Sequence, residues 1–249
     1  TEIYTLSLHD ALPICYARRT GLEVNLITNG TLVDERRARG LAAAGLRTAQ
    51  VSVESADPAV HDELCRSPGS HGRTLRGIRL LREAGIDVQT NTTLSARNAP
   101  EAAAIPAFVA SLGVRRFAMN LYVPGSREAV REELVLRYTE APPLVEAARA
   151  EARRLGMDFS WYSPLPHCRY NPVARGLGNK SCAAMDGLLS VSPAGDVLPC
   201  SSWAEPVGNL LAQPFHEIWF SERARFFKEK RYAPAECSGC DRFVACQAA

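Results

Sequence analysis

The chain has 249 residues, 46% hydrophobic and 22% charged, an ordinary globular composition whose length fits one large domain or one and a half smaller ones. A net charge of +2 with both signs interspersed leaves no footprint for nucleic acid or an anionic membrane, and no apolar run approaches the ~18 residues of a membrane span. With no signal-peptide segment at its start, the chain is expected in the cytoplasm, where eight reduced cysteines point to metal ligation sooner than to disulfides.

In chain order, Thr1–Ile14 carries neither a helical nor a strand period and leads into nothing. It is set aside as a segment foreign to the fold, introduced by cloning or assembly. From residue 15 one punctuation recurs: a helical run, a glycine, then a β-like run. Gly21 precedes Leu22–Thr28, Gly45 precedes Ala49–Glu54, and Gly85 precedes Ile86–Thr93. Gly113 then precedes Arg116–Leu121, and Gly156 precedes Met157–Trp161. Glycine just past a helix end accepts the left-handed conformation that closes the last turn. Helices alternating with short apolar strands predict an α/β fold of βα units on a parallel sheet. Between the marks, Leu75, Ile78 and Leu81 form one helical face, with Arg73, Arg76, Arg79 and Arg82 as a solvated opposite face.

Residues 128–155 read as one long helical segment broken at Pro142-Pro143. Beyond about residue 162, prolines and glycines interrupt any regular period, so a domain boundary is placed between 161 and 162. Leu188–Ser192 and Val197–Cys200 flank a turn and predict a hairpin that brings Cys200 near Cys182. Phe215–Lys230 is predicted as a helix with Phe215, Ile218, Trp219 and Phe226 facing inward. A domain with so little core of its own often needs a metal staple.

The cysteines supply the staple. Cys182 is followed by twelve residues, Gly195, four residues and Cys200; later come Cys237, two residues, Cys240, five residues and Cys246. A tight turn lets two cysteines separated by two residues point the same way, so such thiolates converge on a metal. Spacing alone leaves iron–sulfur and zinc both open. Cys168, beside His167 in a proline-rich loop, stands open between ligand and plain thiol. Cys15 and Cys65 read as free, partly buried thiols.

Several stretches together carry a family resemblance: Leu26-Ile-Thr-Asn-Gly-Thr-Leu32, Val51-Ser-Val-Glu-Ser55 with His61-Asp62, Pro68-Gly-Ser70 with Gly77-Ile78, and Gln89-Thr-Asn-Thr-Thr93. They resemble the later strands of a radical S-adenosylmethionine (SAM) enzyme. The cysteine block resembles the SPASM extension of that superfamily, in which Cys, nine to fifteen residues, Gly, four residues and Cys are followed by Cys-x2-Cys-x5-Cys-x3-Cys and a last Cys. The resemblance spans residues 16 to 249.

The resemblance implies a partial (β/α) barrel of the radical SAM type over 15–161 and an incomplete SPASM-like domain over 162–249. The family's Cys-x3-Cys-x2-Cys motif for the catalytic [4Fe–4S] cluster and its Gly-Gly-Glu-Pro-like stretch are not in this sequence, and the x3 cysteine would be residue 250. The chain is therefore expected to be an internal fragment that does not perform the radical chemistry by itself. In the intact protein, the resemblance implies that a reduced cluster cleaves SAM to methionine and a 5′-deoxyadenosyl radical, which abstracts hydrogen from the substrate. It implies a peptide, protein or small cofactor-precursor substrate, an electron donor such as a flavodoxin or ferredoxin, and one or two auxiliary [4Fe–4S] clusters.

By position in the pattern, Cys182 and Cys200 would serve one auxiliary cluster with the x3 cysteine expected at residue 250, and Cys168 could be its fourth ligand. Cys237, Cys240 and Cys246 would serve the other. Ser52 and Glu54 are candidates for contacts to SAM, with Asn29 and Asn91 behind them and Asn120 at the next strand end, because βα barrels place their sites at the C-terminal ends of strands. The alternative reading is a non-catalytic, metal-stapled module, zinc or iron–sulfur, that binds a peptide.

Overall fold

Five of the β-like runs that follow the glycine marks form one sheet in the computed structural model, which describes residues 11–124 and 130–247. The strands are β1 Asn25–Thr28, β2 Thr48–Ser52, β3 Asp87–Leu94, β4 Arg116–Leu121 and β5 Asp158–Trp161, in the spatial order of their numbering. Every neighbouring pair is parallel, as the alternation of helix and strand signals anticipates. Helices α1 Ala11–Arg19, α2 Glu35–Ala43, α3 Pro58–Cys65, α4 Ser70–Glu83, α5 Ile105–Ser111 and α6 Ala141–Arg154 alternate with them. The starts of α2 and α3 are written locally. The Asp34 carboxylate accepts the Arg37 N–H at 2.7 Å, and Asp57 accepts the Ala59 N–H at 2.7 Å with Pro58 in the first helical turn.

The pleat sorts the strand side chains. Val51, Val53, Phe117, Met119 and Trp161 are buried on one side, where the apolar faces of α4 and α6 supply Ile78, Leu81, Val145 and Ala148. The other side carries Gln50, Ser52 and Glu54, then Gln89, Asn91 and Thr93, then Arg116 and Asn120. The register sets Ser52 beside Asn91 and Thr93 beside Asn120. The arginines of α4 are exposed as anticipated, with Arg79 paired to Glu83 at 3.1 Å.

By its contacts the chain divides into Thr1–Leu121 with Glu140–Tyr162 and Tyr122–Thr139 with Ser163–Ala249. The stretch Tyr122–Thr139 therefore groups with the C-terminal part, unlike a single cut at 161. In this second unit, β6 Ser190–Val191, β7 Asp196–Leu198 and β8 Gly208–Asn209 form an antiparallel sheet. Helices α7 Phe215–Trp219, α8 Glu222–Lys228 and α9 Phe243–Cys246 follow. One apolar cluster of this unit comprises Met185, Val197, Val207, Ile218, Ala224 and Phe227.

Four expectations are corrected. Helix α1 starts at Ala11, so the last residues of the segment set aside are helical; residues 1–10 lie outside the described residues. Pro142 and Pro143 open α6 instead of breaking a helix, because a missing N–H costs nothing in the first turn, and among the described residues of that stretch a short 3₁₀ turn, Glu132–Leu134, stands ahead of it. Residues 125–129, part of that expected helix, lie outside the described residues. Phe215–Lys230 is two helices, since Ser221 ends the first and caps the second by accepting the Ala224 N–H at 3.1 Å. The break shifts the period, so Phe227 turns inward at 5% exposure while Phe215 and Phe226 are exposed at 47% and 37%. The hairpin forms, but the sequence reading did not anticipate its third strand, β8.

Candidate functional site

At the C-terminal ends of β2, β3 and β4 the polar side of the sheet gathers four of the five strand-end candidates. Asn91 Nδ2 donates to Asn120 Oδ1 at 2.6 Å, and Asn120 Nδ2 donates to the Leu121 carbonyl at 3.2 Å. Asn91 Oδ1 is buried and has no hydrogen-bond partner among the described residues. A buried amide oxygen in that state is uncommon, and a bound group commonly accounts for it. Ser52 lies beside Asn91 in the register. The fifth candidate, Asn29, is engaged in its own turn: its Oδ1 accepts the Thr31 N–H at 3.1 Å and the Thr31 hydroxyl at 2.9 Å.

Glu54 is fixed at three points. Its Oε2 accepts the Thr93 N–H at 2.8 Å, its own N–H donates to His61 Nδ1 at 3.2 Å, and its carbonyl accepts from Asn98 Nδ2 at 2.7 Å. Desolvation pushes the carboxyl up to about 7, against the pull of the Thr93 N–H. The acceptor role of His61 Nδ1 leaves the proton on Nε2, which faces Cys65 Sγ at 3.5 Å. Burial first, then His71, pushes His61 down to about 4, with Asp62 opposing. Cys65 is pushed up to about 11 by burial and by Glu54, so it is an inert thiol, in keeping with its reading from the sequence. Sequence reasoning missed Thr93, His61 and Asn98 as the residues that hold Glu54. The one local signal was Thr93 lying two residues beyond Asn91 on the same side of the strand.

The second unit collects the cysteines into two groups. Cys182 accepts a hydrogen bond from the Tyr232 hydroxyl at 3.2 Å. Burial first, then the thiols of Cys182 and Cys200, raises the Tyr232 hydroxyl. In the other group, the Cys240 N–H donates to the Cys237 carbonyl at 3.2 Å and Gly239 between them has φ +75°, the turn expected of the two-residue spacing. Cys237 is raised by desolvation first and then by Cys246, Cys240 and Cys168. Cys168 is thus close enough to Cys237 to act on it electrostatically. The reason is long-range: the His167 N–H donates to Cys246 Sγ at 3.4 Å, which docks the Cys168 loop on α9. Among the described residues, no three His, Cys, Asp or Glu side chains stand ready around a single metal ion.

A concavity of about 510 Å³ adjoins this second group, lined by Cys237, Cys240, Phe243 and Lys230 among others. Lys230 is 4% exposed and its Nζ has no hydrogen-bond partner among the described residues.

Comparison with known proteins adds the following. The radical SAM superfamily model matches residues 4–96, and that of SPASM, an iron–sulfur cluster-binding domain, matches residues 182–241. The chain is 31% identical over 245 residues to the AdoMet-dependent heme synthase of Methanosarcina barkeri, covering 90% of this chain and 67% of that one. It is 28% identical over 232 residues to the PqqA peptide cyclase of Streptomyces rochei, covering 84% and 57%. The chain spans about two thirds of the length of the curated relatives it matches. Streptococcus suis SuiB bound to its precursor peptide SuiA shares the fold with a TM-score of 0.76 at 13% identity, covering 95% of this chain and 56% of that one. The enzyme anSMEcpe, with bound AdoMet and the Cp18Cys peptide, gives 0.70 at 15% identity, covering 97% and 71%.

Proposed function

This chain belongs to the radical SAM superfamily and carries its SPASM extension, and on that premise we propose that the whole protein is a maturase that modifies a peptide, a protein or a cofactor precursor. Relatives of both kinds support the substrate range: a peptide cyclase and a heme synthase among curated proteins, and SuiB and anSMEcpe in complex with peptides among solved structures. A catalytic cluster and SAM, when bound, supply one-electron reductive cleavage of the sulfonium and hydrogen-atom abstraction.

The residues of this chain fit SAM at the ends of β2–β4. The free Asn91 Oδ1 is an acceptor for a ligand N–H or O–H, and Ser52 offers a hydroxyl beside it. Glu54, held rigid by Thr93, His61 and Asn98, takes a proton near neutrality and so accepts from or donates to a ligand without rearrangement. Asn120 orients the Asn91 amide. Asn29 enters this proposal only through its turn, which shapes the end of β1.

The cysteine spacing, with Cys237 and Cys240 delivered on one tight turn, is the observation that carries the auxiliary-cluster reading. Soft thiolates favour iron–sulfur clusters, and the SPASM match over residues 182–241 favours iron over zinc. Cys182 and Cys200 form one site, with the Tyr232 hydroxyl bonded to a ligating sulfur; such outer hydrogen bonds tune a cluster's potential. A cytoplasmic location and a flavodoxin or ferredoxin as electron donor belong to this proposal, and no helix of the described residues is long and apolar enough to cross a membrane.

The test is anaerobic reconstitution of the chain with iron and sulfide. The expected product is brown, with an absorption band near ~400 nm that is lost in a variant with serine at Cys182, Cys200, Cys237, Cys240 and Cys246. A colourless protein that takes up zinc in preference to iron overturns the cluster assignment.

A further inference from the structure

We infer that Lys230 is the buried counter-charge of the Cys237, Cys240 and Cys246 site: a cation that is not a ligand, held beside the thiolates to balance the charge of the iron they bind and to favour its reduced state. The inference rests on the iron–sulfur reading above and adds to it a residue that no cysteine spacing points to.

Lys230 stands where two penalties meet. It follows Glu229, the cap of α8, with φ +52°, in the left-handed conformation that closes a helix and that glycine adopts without steric cost. Its N–H donates to the Phe227 carbonyl at 3.1 Å and its carbonyl accepts from the Ala233 N–H at 2.8 Å, so the backbone that directs the side chain is fixed. The side chain is then buried, with 4% exposure, and its Nζ has no hydrogen-bond partner among the described residues. A glycine would relieve the first penalty and a methionine the second. The chain carries a lysine.

The surroundings hold no anion to answer it. Lys230 and Arg231 both line the concavity that Cys237 and Cys240 line. Arg231 is paired with Glu222 and Glu229, whereas among the described residues no acidic side chain lines the concavity. A buried ammonium calls for a counter-charge. Cysteine thiols supply none until a metal displaces their protons, and iron held by thiolates and sulfide is a net anion. A fixed positive charge beside that anion stabilises its reduced, more negative form over the oxidised one, and so raises its reduction potential.

The experiment uses the full chain with Cys182→Ser and Cys200→Ser as the parent, metal-free and after anaerobic reconstitution with iron and sulfide. Without metal, adding Lys230→Met is expected to stabilise the fold by about tenfold in the folding equilibrium, read from urea denaturation, because it removes a buried charge that has no partner. In the loaded chain the same change is expected to shift the reduction equilibrium about tenfold toward the oxidised form, a fall of ~59 mV in the midpoint of a one-electron couple. Lys230→Arg keeps the charge and should hold the parent's potential. A Lys230→Met chain that is less stable than the parent without metal, or that loads and keeps the parent's potential, overturns the inference and leaves the cluster reading intact. Loss of iron uptake confined to Lys230→Met, in a chain stabilised without metal, supports the assignment through affinity instead of potential. No iron uptake with Lys230 in place overturns the cluster reading at this site, and the inference with it.

Discussion

Glu54 and His61 touch through one hydrogen bond and titrate in opposite senses, which gives the first unit a characteristic pH response. Glu54 rises from an ordinary 4.5 to about 7 in the fold, so between those values the native chain binds more protons than the unfolded one, and stability falls as pH rises. His61 drops from 6.5 to about 4, so between those values the unfolded chain binds more protons, and stability rises with pH. Each amounts to roughly 3 kcal/mol at most, from about 1.4 kcal/mol per pKa unit, and the two nearly cancel. Wild-type stability is therefore expected to vary little between pH 4.5 and 6.5. Glu54→Gln removes one arm and exposes the other, so the urea midpoint of the variant should climb steadily over that range. A flat profile in the variant contradicts the burial assigned to His61.

At the scale of elements, the end of β1 and helix α4 are joined by a close approach that tolerates no side chain. A Cβ at Gly77 would stand 2.2 Å from the Gly30 carbonyl oxygen, and the neighbouring Thr74 hydroxyl donates to the Asn29 carbonyl at 2.7 Å. Gly77→Ala must push α4 off the loop that follows β1, at a cost of about 2–3 kcal/mol. Chemical denaturation measures this directly. Gly72→Ala, at an exposed site on the same helix with open space around its Cβ position, is the control and should be neutral or slightly stabilising. A loss below about 0.5 kcal/mol at Gly77 rules the close packing out.

For the molecule as a whole, the two units differ in what holds them. The first has a sheet with an extensive apolar side, whereas the second has a smaller apolar cluster around Met185, Val197, Ile218 and Phe227 and six of the eight cysteines. Binding free energy is folding free energy when the binding site is absent from the unfolded chain. Cluster loading should raise the thermal transition of the second unit by the equivalent of on the order of 3 kcal/mol and leave that of the first unchanged. Scanning calorimetry of loaded and metal-free chain resolves the two. A single transition that moves as one shows instead that they unfold together.

The amino-acid sequence determined whatever is set within a few residues. Glycines closing helices marked where each strand begins, so the parallel α/β order was legible before any contact was known. The cysteine spacing and the Val51-Ser-Val-Glu-Ser55 stretch identified the family. Only the tertiary structure decided what the loop before Cys168 docks on, because the bond from His167 to Cys246 joins positions 79 residues apart and no spacing rule reaches that far. The same holds for Glu54, whose carboxyl is fixed by Thr93 on the neighbouring strand, 39 residues on. Asn29 is a ligand candidate by its place at a strand end, and packing within its turn engages its side-chain oxygen with Thr31. Local signals placed the elements, and packing between them decided which polar groups were left free to bind.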